Sequence, residues 1–157
     1  MTSNLAGIGA ALIAFASLTP PALADSVPAQ DCYDAAVHAR VVQQIPSEFP
    51  DCDDCAIMSW PWFLDLKVKR VLEGQARKGT ISVLSVQHTY LISRFRTWWL
   101  RRNTAGSFNV LRLTSDQMPK LCPADAAPVA PYIGRGDGKT LDDLRRTSEQ
   151  HYGRHPD

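Results

Sequence analysis

The sequence predicts a mostly β domain: a small five-stranded barrel, closed or partly open, behind a signal peptide and followed by a short C-terminal helix. Three observations predict it. Between Ala36 and Leu113 apolar residues recur at alternate positions in short runs, the period of a half-buried strand. Four cysteines follow an export-type leader and read first as disulfides. Helix-start chemistry gathers late, at Thr140–His151.

The leader is residues 1–24. Leu5–Leu18 is a mainly Leu, Ala, Gly, Ile and Phe run, shorter than the ~20 residues a membrane-crossing helix needs. Pro20 and Pro21 end it, and Ala22-Leu23-Ala24 puts small residues where a signal peptidase reads. Met1–Asn4 lacks the Lys or Arg such leaders usually carry. The expected working chain starts at Asp25 and is secreted or periplasmic. Cys32 lies well past that point, which argues against a lipid-anchored first cysteine. No later run is long and apolar enough to span a membrane as a helix. Apolar residues make up 45% of the chain, enough for one core. The net charge of +1 implies no large single-sign field.

Asp25–Asp31 is a polar lead-in. Val37, Ala39 and Val41 share one parity and His38 and Arg40 the other, which makes Ala36–Val42 a strand. Ile45-Pro46 ends it, and Ser47–Asp54 is an acidic loop. Pro61 keeps Ser59–Phe63 from being the middle of a central strand. Leu64, Leu66 and Val68 then alternate with Asp65, Lys67 and Lys69. Val71-Leu72 breaks the alternation and predicts a bulge or change of face. Ile81–Tyr90 switches parity between Val83 and Leu84, as a strand packed on both faces would. Ser93–Arg96 is a basic link. Trp98–Asn103 and Phe108–Leu113 flank Thr104–Ser107 and read as a hairpin. Past Cys122, prolines and then Gly134, Gly136 and Gly138 form an arm. Thr140 caps the predicted helix, with Asp142 and Asp143 in its first turn and a thin apolar face of Leu141 and Leu144. The expected divisions are 1–24, leader; 25–122, barrel; 123–157, arm and helix.

The cysteines allow three pairings, of which Cys32–Cys122 with Cys52–Cys55 is favoured because it ties the start of the domain to its end. The order Cys32, the Val37–Val41 strand, Leu66-Lys67-Val68 to Val71-Leu72-Glu73-Gly74, the Ile81–Val86 strand, hairpin and Cys122 resembles the netrin-like domains of tissue inhibitors of metalloproteinases. The resemblance spans about residues 32–122 and implies an OB-type barrel. Those inhibitors open on a Cys-x-Cys whose free amine chelates a protease zinc. Here Cys32 is alone and past the expected new N-terminus, so the inhibitory wedge is not carried over.

Cys52-Asp53-Asp54-Cys55 has redox spacing, but its acidic neighbours disfavour a thiolate, and a structural bridge is the expected reading. The spacing lacks the second Cys-x-x-Cys of a common zinc site. Glu48, Asp51, Asp53 and Asp54 lack EF-hand spacing and read as a solvated loop. Gly134–Thr140 is one residue short of a phosphate loop. Arg135-Gly136-Asp137 spells an adhesion tripeptide and reads as chance. No cofactor is expected, and no nucleophile or paired carboxylate accompanies His88.

Basic residues cluster at Lys67–Lys78 and Arg94–Arg112, with Trp60, Trp62, Trp98 and Trp99 among them. Barrels of this type stack ligand rings on aromatics within basic grooves. The plainer reading makes the tryptophans core, one of each pair inward, and the charges a solvated face. The sharper reading places Trp62 and Trp99 exposed beside Arg101. Export disfavours nucleic acid and favours an anionic glycan or lipid headgroup. The expected function is therefore an exported, non-catalytic binding or inhibitory module whose partner is a protein or an anionic ligand. The alternatives are an anionic small-molecule or glycan binder on the Trp/Arg face, and a thiol–disulfide protein using Cys52 and Cys55.

Overall fold

The computed structural model describes residues 32–49, 58–113, 118–134, 136 and 138–156. The leader, the Cys52–Cys55 pair and two residues of Arg135-Gly136-Asp137 lie outside them. The elements are β1 (Cys32–Tyr33), β2 (Ala35–Pro46), β3 (Trp60–Gly74), β4 (Gly79–Gln87), β5 (Arg96–Arg102), β6 (Phe108–Val110), β7 (Lys120–Leu121), α1 (Leu141–Tyr152) and β8 (His155–Pro156).

Strands β2 to β6 close into the mostly β barrel that the alternation predicts. β2 pairs antiparallel with β3 and β5, β3 with β4, and β5 with β6. A parallel seam between β4 and β6 completes the ring. The interior is a single apolar cluster that includes Val37, Ala39, Val41, Trp62, Leu64, Leu66, Val68, Ile81, Val83, Trp98 and Leu100. Period-2 alternation puts each strand's apolar set inside. The Trp98 indole satisfies its N–H by donating to the Ala39 carbonyl at 2.9 Å.

Three residues break the β2–β3 ladder. Leu72, Lys69 and Val42 have no partner in the register, so each is an extra residue on its strand. The first lies where the lost alternation predicts a bulge. β4 also uses both faces: Val83 is in the barrel core, whereas Leu84 packs outside with Ile45 and Phe63.

That outer patch receives the arm. Tyr132, Ile133, Leu141 and Leu144 pack on Ile45, Phe63 and Leu84. Tyr132 donates to the Val110 carbonyl at 2.9 Å, and Asn109 donates to the Ala130 carbonyl at 2.8 Å. The helix starts at the predicted cap. Thr140 and Asp143 exchange side-chain and backbone hydrogen bonds in a capping box. Arg145 forks onto Asp65 with two bonds of 2.8 Å. The thin apolar face is thus reinforced by an ion pair reaching 80 residues back in sequence.

Cys32 and Cys122 form a disulfide, the pairing favoured from their positions, and join β1 to the parallel β7. At the end of β3, Gly74 has φ +72 and faces the Asp34 carbonyl so closely that a Cβ would lie 2.0 Å from it. The glycine of Val71-Leu72-Glu73-Gly74 is therefore required by backbone crowding. Among the described residues, no helix is long and apolar enough to cross a membrane.

Candidate functional site: a cationic face around Phe95

The structure does not bring Trp62, Trp99 and Arg101 together. Trp62 pairs with Pro46 and Trp99 with Ala36, near opposite ends of β2. Trp62 is inside the barrel, 2% exposed. Trp60 and Trp62 are two residues apart, so alternation sends both to the same side rather than one inward. Trp60 packs on the barrel core beside it. Trp98 and Trp99 are adjacent and do split: Trp98 is interior, and Trp99 is half-buried outside against Tyr33, Ala36 and Leu111.

Arg101 is 6% exposed and committed to structure. It donates to Asp34 at 2.5 Å and to the Ala127 carbonyl at 2.6 Å. Asp34 also receives the Arg102 backbone N–H and side chain. Burial alone would raise the Asp34 carboxyl; these donors overcome it and hold the group below its usual range. A neutralised, buried arginine holding two chain segments together is not a ligand cation.

The free cations lie on another face. On β2, His38 and Arg40 point outward, opposite Arg70 and Lys67 of β3. Strict alternation would send Lys69 and Arg70 to opposite sides. The extra residue at Lys69 resets the phase, so Lys67, Lys69 and Arg70 are all exposed. All three face solvent beside the two outward residues of β2.

Phe95 gathers this group. His38 stacks on its ring with centroids 5.5 Å apart. The Lys69 ammonium and the Arg40 guanidinium lie 5.5 and 5.9 Å from the ring centre, within cation–π range. Phe95 itself keeps 43% exposure. Its neighbour Arg96 lies 3.9 Å over the Trp98 ring.

The segment carrying Phe95 is held beside β2 by side chains rather than by a strand ladder. The buried Gln44 amide donates to the Leu91 carbonyl at 2.7 Å and accepts from the Leu91 N–H at 2.8 Å. Gln87 donates to the same Gln44 oxygen at 3.2 Å. Ser93 donates to the Val41 carbonyl at 2.5 Å. The link then enters β5 at Arg96.

The face is electrostatically one-sided. Among the described residues, none of Arg40, Lys67, Lys69 and Arg70 has a carboxylate partner; the ion pairs use Arg101, Arg102, Arg145, Arg146 and Arg154. Of the acids flanking the run on β3, Asp65 is paired with Arg145, whereas Glu73 accepts from the neutral Tyr33 hydroxyl at the far end of the strand. Arg40 opposite Lys67 is a like-charge cross-strand pair, an arrangement that destabilises a sheet on its own.

A groove of about 1030 Å³ lies elsewhere, between the loop at Gln75–Arg77, the turn at Ala105–Ser107 and the start of α1. Its inner cation, Arg145, is consumed by Asp65, Ser82 and Glu149. Among the described residues, no three His, Cys, Asp or Glu side chains converge as a metal site. Compared with known protein families, curated proteins and solved structures, the chain matches none.

The clustered lysines and arginines are visible in the sequence; Phe95 as their organising ring is not. The signal available was its position within Arg94-Phe95-Arg96, together with the outward parity of His38 and Arg40.

Proposed function

We propose that this protein is an exported, non-catalytic binding module that holds a negatively charged partner on the outer face of β2 and β3. One observation carries the reading: Arg40 and Lys69 converge on the exposed Phe95 ring with no carboxylate to balance them. Like charges held together without compensation cost stability, and an anionic partner relieves that cost. The disulfide is compatible with export. The netrin-like resemblance belongs to the same reading, as the scaffold of a binding or inhibitory module; fold alone does not fix function.

Calorimetric titration with dextran sulfate, and with uncharged dextran as control, tests it. The expected result is binding of the sulfated polymer only, weakening linearly in a logarithmic plot as salt rises. Screening and counterion release both give that sign. Replacing Arg40 and Lys69 together by Gln should weaken binding at least about tenfold, at ~1 kcal/mol per cation. Equal binding by the double variant would remove the reading.

A further inference from the structure

We propose that the negatively charged partner is the surface of an anionic lipid bilayer, with Ile92 and Phe95 entering the headgroup layer and the surrounding cations contacting lipid phosphates. This rests on the anionic-partner reading and names the source of the charge.

Ile92 is 81% exposed, the highest value among the large hydrophobic side chains left at the surface of the described residues. It lies on the same link as Arg94 and Phe95, three residues before Phe95 in sequence. An aliphatic side chain standing in water on the link that carries Phe95 gains nothing from a soluble polyanion. At a bilayer it gains burial, while the cations meet phosphates. Long Lys and Arg side chains suit that role, because their stems lie along apolar surface while their heads reach the charge.

Shape points the same way. The face is the outside of a closed barrel, and the described groove, though partly walled by β3, is lined by neither Phe95 nor the cations of this face. Compact ligands are normally taken in concave sites that bury most of their surface. A membrane requires no concavity. The link is also pre-set: Gln44 fixes Leu91 through both backbone groups, and Ser93 is bonded to Val41. Little ordering is left to oppose docking.

The test uses the full chain, sedimented with vesicles of phosphatidylcholine alone or of phosphatidylcholine mixed with phosphatidylglycerol. Dextran sulfate titration runs in parallel. Binding is expected to the mixed vesicles and not to the neutral ones. Ile92→Ser should weaken vesicle binding about tenfold and leave dextran sulfate binding unchanged. Arg40→Gln with Lys69→Gln should weaken both. Thermal melting of Ile92→Ser checks that the fold persists, as expected for so exposed a side chain. If dextran sulfate binds and mixed vesicles do not, or if vesicle binding ignores Ile92→Ser, the lipid assignment is overturned and the anionic reading stands. If neither probe binds, both fall.

Discussion

At Gly74 the backbone itself decides the residue. Its φ of +72 and the 2.0 Å approach of a would-be Cβ to the Asp34 carbonyl leave no room for a side chain. Gly74→Ala is expected to cost roughly 3 kcal/mol, from left-handed strain plus displacement of Asp34; a denaturant melt measures it. Gln44 is a second such position. Gln44→Leu keeps the volume but strands the Leu91 N–H and carbonyl, whose partners are the Gln44 amide atoms. Roughly 2 kcal/mol of stability should be lost, and anion binding should weaken because Phe95 loses its support. If that variant binds with full affinity, Gln44 has no positioning role. Tyr132 reports the arm from its own titration. Burial pushes its phenol up to about 12, against the opposing pull of Arg112. A folded value above the unfolded 10.0 means a contribution intact below about pH 10 and lost as pH rises through about 12. The phenols of Tyr33 and Tyr90 are raised as well, so phenolate absorbance followed against pH should lose a component near pH 12 in Tyr132→Phe while other late titration remains. Gly74 was legible as part of Val-Leu-x-Gly. Gln44 was not, since a polar residue near a strand end looks like any solvent-facing glutamine until the link beside it is seen.

Among the elements, α1 depends most on something outside itself. Its apolar contacts are few, and Arg145 fastens it to Asp65 on β3. Burial on its own raises the Asp65 carboxyl, but hydrogen bonds from Arg145 and Ser82 reverse this and hold it below the usual range. The folded value is therefore below the unfolded one. Helix docking is fully supported above the ordinary carboxylate value of about 4, and that support is lost as pH falls through the lower folded value. Amide exchange across α1 should accelerate below about pH 4 before the barrel amides follow. Asp65→Asn should produce the same loosening at neutral pH, costing about 2 kcal/mol, because Arg145 keeps only Glu149 on its own helix and loses its charge partner on the barrel. Unchanged exchange in that variant would show that the apolar patch alone holds the helix. The helix was readable from its cap and charges, because capping is local chemistry. Its docking was not readable, because Asp65 and Arg145 are far apart in sequence and only the closed barrel brings them together. The same limit explains the tryptophans. Their presence was plain, but whether Trp62 faces in or out depends on the phase of β3.

For the whole molecule, the alternating runs sufficed to give a five-stranded barrel, and the cysteine positions gave Cys32–Cys122. Closing a loop with a sequence separation of 90 should contribute about 4.6 kcal/mol in the chain-entropy model, so Cys32→Ser with Cys122→Ser should melt well below the native protein. The cationic face was only partly legible. Lys67, Lys69 and Arg70 stand out as a run, but the alternation rule assigns Lys69 and Arg70 to opposite sides. The bulge at Lys69 is what gathers them, and a bulge is a property of the pairing with β2. Three of the four tryptophans line or pack on the core and Trp99 lies outside against Tyr33, while one phenylalanine organises the cations. The most direct test of that face is amide chemical-shift mapping during titration with dextran sulfate. The account predicts shifts concentrated at His38–Arg40, Lys67–Arg70 and Ile92–Arg96. Shifts centred instead on Asp34 and Arg101, or on the groove beside α1, would contradict it.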